Sequence, residues 1–83
     1  MKLKEFKNIN NYVFYLVFEN GAHGEVDLKE MISQYVTPQE TSSAFLNKEW
    51  GCLEFNDHMV DIEPKTLYAF FLKNKIIDKQ MAS

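Results

Sequence analysis

The chain has 83 residues and a mass of 9.8 kDa, enough for one domain and too short for an enzyme with a separate cofactor lobe. Hydrophobic residues make up 46% and aromatics 14%, with three Gly and two Pro, which excludes a disordered chain and predicts one compact core. The net charge is −3 and every base is a lysine. Residues 8–72 hold only Lys29, Lys48 and Lys65 against ten carboxylates, so the middle of the chain is acidic while both ends are basic. An acidic middle without a guanidinium does not suit a phosphate backbone or the bidentate reading of guanine, so direct nucleic-acid binding is not expected.

A single cysteine, Cys52, permits no internal disulfide. No charged leader with an apolar run opens the sequence, and no apolar run approaches the ~20 residues of a bilayer span, so a cytoplasmic location is expected.

In chain order, Lys2 to Ile9 alternates loosely and predicts a short edge strand, followed by a turn at Asn10-Asn11. Tyr12 to Phe18 is aromatic and β-branched, and predicts a central strand. Asn20-Gly21 predicts a two-residue type I′ turn, with the return strand over Ala22 to Val26. Asp27 suits an N-cap, with Glu30 at N3 and Val26 able to staple against Met31. Leu28, Met31, Ile32 and Tyr35 then form one apolar helical stripe that ends near Tyr35, ahead of Pro38.

Thr37-Pro38-Gln39-Glu40 reads as a second capping box with Pro at N1, opening a helix or helical turn that carries Ala44, Phe45 and Leu46 and ends by Gly51. Cys52 to Phe55 and Met59 to Ile62 alternate around the turn residues Asn56, Asp57 and His58, a second hairpin. Pro64 suits N1 of a last helix with Leu67, Tyr68, Phe71, Leu72 and Ile76 on its apolar face. Residues 79–83 are expected to fray. The expected fold is therefore a single α+β domain over residues 1–83, an antiparallel sheet of four to five strands built from two hairpins, with two to three helices packed on it.

The chemistry-bearing residues form no strong motif. His23, Cys52, Asp57 and His58 lack paired metal-ligand spacing, and nothing orients either histidine as a base for Cys52. Asn20-Gly21 and Gly24 match no phosphate-binding loop. No cofactor is expected. Asp57, Asp61 and Glu63 read as paired carboxylates or a weak Mg²⁺ site on one account. On the simpler account they are turn formers and favourable charges at a helix N-terminus. Seven Phe, four Tyr and one Trp exceed the needs of a small core, which singles out Trp50 and Phe70 as a partner-facing patch.

Two segments carry a family resemblance. Leu16-Val-Phe-Glu-Asn-Gly-Ala-His-Gly-Glu-Val-Asp-Leu28 and Cys52-Leu-Glu-Phe-Asn-Asp-His-Met-Val-Asp-Ile-Glu-Pro-Lys-Thr-Leu-Tyr68 are similar to the two hairpins, Val-Asp-Leu, Asp-x-x-Pro and Leu-Tyr of the small bacterial and phage domain-of-unknown-function family numbered 2442. With Phe45 matching a helical Phe between them, the resemblance spans about residues 12–70. The chain departs at Phe55, where many members carry Trp, and at His58, where a turn Gly is usual. The resemblance implies a small α+β domain with an antiparallel sheet and no catalytic residues to carry over. It also implies a setting, since some relatives lie beside a second small protein in the manner of toxin and antitoxin pairs. Others carry a helix-turn-helix after the domain, which is not expected in a sequence ending at Ser83.

Together these readings point to a non-enzymatic protein-interaction module, antitoxin-like or regulatory, that binds a protein partner through Trp50, Phe70, Asp57, Asp61 and Glu63. An alternative is a phage or mobile-element inhibitor whose acidic face occupies the basic channel of a nucleic-acid-processing defence enzyme. The chain is expected to be a monomer or a weak homodimer, with lysines on the first strand opposing edge pairing.

Overall fold

Val13–Phe18 alternates strictly between half-buried and buried side chains in the computed structural model, which describes residues 1–76. Phe14, Leu16 and Phe18 are fully buried, so this strand, β2, carries the core face of the first sheet. It lies between β1 (Leu3–Asn10) and β3 (His23–Asp27), antiparallel to both. The expected central position of Tyr12 to Phe18 holds, apart from Tyr12 itself. Tyr12 shares the β1–β2 turn with Asn11 (φ 44°), and its buried hydroxyl donates to the Val36 carbonyl at 2.6 Å.

The β2–β3 connection departs from the two-residue turn. Gly21 donates to Phe18 O and Phe18 donates to Ala22 O, while only Gly21 has a positive φ (91°). This is a three-residue loop with a left-handed glycine. Asn20 contributes through its side chain instead, accepting from the Ala22 amide at 3.0 Å and donating to the Tyr68 hydroxyl at 3.0 Å.

The expected first helix is a single turn, α1 (Lys29–Ile32), with Leu28 at the N-cap position expected for Asp27; the Asp27 carboxylate accepts from the first helical amide, that of Lys29, at 2.9 Å. Tyr35 and Val36 both donate to Ile32 O, and the tightened chain turns Val36 inward while Tyr35 stays 65% exposed. The Thr37 box forms, with Thr37 N donating to Glu40 Oε1 at 2.8 Å and Glu40 N to Thr37 Oγ1 at 3.3 Å. The helix it opens is nevertheless only a 3₁₀ segment, Gln39–Ser43. The hydroxyls of Thr41, Ser42 and Ser43 each donate to the carbonyl three residues back, competing for the groups an α-helix needs.

Phe45 and Leu46, expected on that helix, instead form β4 (Phe45–Asn47). β4 pairs with β5 (Cys52–Phe55), which pairs with β6 (Val60–Ile62), giving a second antiparallel sheet of three strands. Among the described residues the fold is thus α+β with six strands in two sheets, where one sheet of four to five was expected. Among them, too, one full helix, α2 (Pro64–Asn74), stands where two to three were expected. α2 starts with Pro64 at N1 and buries Leu67 and Phe71, the latter 5.2 Å from the Phe18 ring. Leu72 and Ile76, expected on the apolar face, are about half exposed, and the helix ends before Ile76. The fraying expected over residues 79–83 lies outside the described residues.

Phe14 and Phe55, both fully buried, meet edge to face at 5.7 Å and join the two sheets. Gly51 closes the β4–β5 loop rather than ending a helix, and the start of β1 lies across it, with Leu3 N donating to Gly51 O at 3.1 Å. A Cβ at Gly51 would sit 2.8 Å from Lys2 Cα, at a φ of 72°. Gly51→Ala is therefore expected to lower unfolding stability by about 2 kcal/mol or more in urea titration, through the left-handed backbone and the clash together. A Gly51→Ala midpoint equal to the parent's would contradict this packing.

Candidate functional site

Burial of Leu53 and Phe55 on the inner face of β5 forces Cys52 and Glu54 onto the outer face. Glu54 is even so only 5% exposed. Phe45 stands opposite it across the ladder and lies edge-on to the His58 ring at 5.3 Å. His58 Nδ1 is bonded to Glu54 Oε1, and Asn47 Nδ2 donates to Glu54 Oε2 at 3.1 Å. The hydrogen bond from His58 holds the Glu54 carboxyl below the usual carboxylate range. The same bond, with smaller help from the charges of Glu54 and Asp57, raises the His58 imidazole above its ordinary value.

His58 closes a turn in which Asn56, Asp57 and His58 all have left-handed backbone, with φ of 55°, 56° and 72°. Non-glycine residues adopt this region at a cost, and Asn and Asp tolerate it best. Ser43 braces the turn, its Oγ accepting from the Asn56 amide at 2.8 Å. An imidazole oriented at Nδ1 by a carboxylate has the form of an acid–base pair. Its thiol neighbour does not complete a nucleophilic pair. Cys52 stands beyond Glu54 on β5 and faces a different groove, and burial, then the charges of Asp61, Glu54 and Glu63, push its thiol up, towards the protonated, inert form.

That second groove has a volume of about 590 Å³ and is lined by Met1, Trp50, Cys52, Asp61, Glu63, Pro64 and Lys65. Trp50 comes from the β4–β5 loop, where the Asn47 side chain accepts from the amides of Glu49 and Trp50 at 3.1 and 3.2 Å. Trp50 is 63% exposed. Asp61 comes from β6, Glu63 caps α2, and neither has an ion-pair partner among the described residues. Lys65, on the first turn of α2, is the one basic side chain on the rim.

Of the residues singled out from the sequence, the fold gathers Trp50, Asp61 and Glu63 into this groove. Asp57 stays in the left-handed turn. Phe70 is half-buried against the core, beside Asp27, Lys29, Glu30, Ser33 and Asn74. Sequence reading missed Glu54, Asn47 and Phe45. A carboxylate at an alternating strand position with a histidine four residues on was the available signal for the first. Among the described residues no group of three or more His, Cys, Asp or Glu is placed to hold a metal ion, and no helix is long and apolar enough to cross a membrane.

The family described as "Protein of unknown function (DUF2442)" matches residues 3–72. The chain belongs to that family. The match takes in β1, β4 and both sheets, beyond the two segments in which the resemblance is visible by eye. No curated protein and no solved structure matches the chain.

The Glu54–His58 pair makes stability depend on pH in both directions. The raised His58 contributes stability that is fully present below the ordinary histidine value and is lost as pH rises through its folded value. The lowered Glu54 contributes stability present above the ordinary carboxylate value and lost as pH falls through its folded value. Urea midpoints should therefore pass through a maximum at mildly acidic pH, and Glu54→Gln should flatten both limbs. An unchanged pH profile in Glu54→Gln would show that the pair does not form in solution.

Proposed function

We propose that this DUF2442 domain is a non-enzymatic protein-interaction module, antitoxin-like or regulatory in role, whose docking face centres on Trp50. One observation carries the reading: a tryptophan that is 63% exposed stands on the rim of a groove with two carboxylates that lack ion-pair partners among the described residues. Large amphipathic rings dominate the energetics of protein interfaces, and leaving one in water has no stabilising role in the fold. Asp61 and Glu63 favour a partner that brings a lysine or arginine against the Trp50 face, where cation–π and charge attraction act together. Phe70, being half-buried, contributes packing more than contact.

The alternative, an acidic face that occupies a basic nucleic-acid channel, draws on the same carboxylates and differs in its dependence on salt. An aromatic anchor survives high ionic strength, whereas attraction between exposed charges is screened within about 8–10 Å.

Trp50→Ala should leave the unfolding midpoint near that of the parent and weaken binding to the co-purifying partner by roughly thirtyfold, the scale of an interface hot spot. The measurement is titration calorimetry at low and high salt. Equal affinity for parent and Trp50→Ala would dismiss the docking face, and a steep loss of affinity with salt in both proteins would favour the channel-blocking role.

A further inference from the structure

β6 (Val60–Ile62) is the last strand of the second sheet and pairs with β5 alone. A strand with one neighbour turns half of its backbone donors and acceptors away from it. Among the described residues, no hydrogen bond from outside β5 reaches the backbone of Val60, Asp61 or Ile62. The two edge strands of the first sheet are guarded differently. On β3, Glu25 O accepts from the Ile76 amide at 2.7 Å. β1 carries Lys4 and Lys7 and has register shifts near both ends, and its first residues lie against the β4–β5 loop.

Along the open side of β6 runs a slot of about 260 Å³. Its near wall is the consecutive run Val60, Asp61, Ile62 and Glu63. Consecutive residues of a strand point to opposite faces, so a groove lined by all of them follows the strand's edge and not one face. The far wall is Met31, Ile32 and Tyr35 from α1 and the turn after it, with Thr66 from α2. This is the shape that receives one more strand.

Charge specifies what that strand carries. Asp61 stands directly opposite Glu54 in the β5–β6 ladder, two carboxylates facing each other. Like charges so placed are destabilising. Glu54 is satisfied by His58 and Asn47, which leaves Asp61 with a like-charged neighbour on one side and open solvent on the other. A cation opposite Asp61 on an added strand would be its first favourable cross-strand neighbour, with Glu63 next along. Residues opposite Val60 and Ile62 would instead face Met31 and Tyr35, an apolar strip.

We propose that β6 is a strand-addition site for an extended segment of a protein partner in which basic and apolar side chains alternate, the basic ones beside Asp61 and Glu63 and the apolar ones against Met31 and Tyr35. This rests on the reading of the domain as an interaction module, and adds that main-chain hydrogen bonds to β6 supply affinity while the alternation supplies specificity.

The test uses the full chain and a short blocked peptide of alternating lysine and valine, followed by amide NMR and hydrogen exchange. Shift changes and slowed exchange confined to Val60–Ile62 and their β5 partners are expected. Two forms of the peptide, N-methylated on alternate residues in one register or the other, should differ by roughly tenfold or more in affinity, because only one register aims its amides at β6. Thr66→Arg, at an exposed position on the far wall, should weaken the parent peptide by a similar factor. Binding that is indifferent to N-methylation but lost in Trp50→Ala would overturn strand addition and leave the interaction module intact. Binding absent altogether at β6, or a chain that self-associates through β6 by sedimentation, would also overturn it.

Discussion

The contact between Phe14 and Phe55 is the constraint from which the rest follows, because the two sheets share no backbone ladder. Burial sets its strength: each phenylalanine removed from water contributes about 1.5–3 kcal/mol, and the edge-to-face geometry adds about 0.5–1.5 kcal/mol. The consequence reaches the surface through the two-residue period of a strand. With Phe55 and Leu53 turned inward, Cys52 and Glu54 must face outward, and their ladder partners Asn47, Phe45 and Asp61 with them. A slip of one residue in β5 would exchange the core for the site.

Much of this was legible in the residues, and the failures have identifiable causes. The alternation of β2, the reciprocal bonds of Thr37 and Glu40 and the start of α2 at Pro64 are local, and local chemistry decides them. The strand at Phe45–Asn47 was not legible from the Thr37 box. The box specifies how a helix begins, whereas the three consecutive hydroxyls at Thr41, Ser42 and Ser43 decide how soon it ends. With that helix gone, Phe45 and Leu46 are free to pair with β5, and the single expected sheet becomes two.

The candidate site divides in the same way. Asp61 and Glu63 lie two residues apart and were legible as a pair. Their meeting with Trp50 depends on the β4–β5 loop and on the β5–β6 ladder, neither visible without knowing that β4 is a strand. Phe70 failed as an exposed residue because α2 packs against the first sheet on a wider face than the Leu67–Phe71 stripe, so a ring at the border is half covered. Glu54 failed in the opposite sense. An acid in an alternating strand reads as solvent-exposed; Glu54 does turn to the outer face, but Phe45 and His58 cover it there and leave it buried.

The left-handed run at Asn56, Asp57 and His58 ties these features into one argument about the edge. Three consecutive residues at positive φ are unfavourable unless something over-determines them. Here Ser43 holds the first and Glu54 holds the last. Neither brace comes from the open side of β6, since Ser43 precedes β4 and Glu54 lies on β5. β6 therefore leaves the turn with its hairpin register fixed and its outer edge unburdened. Natural sheets usually blunt such an edge with lysine or a bulge, and β1 has both. β6 carries an acid instead, set against another acid, which discourages pairing between copies of β6 by charge repulsion while leaving the edge open to a basic strand.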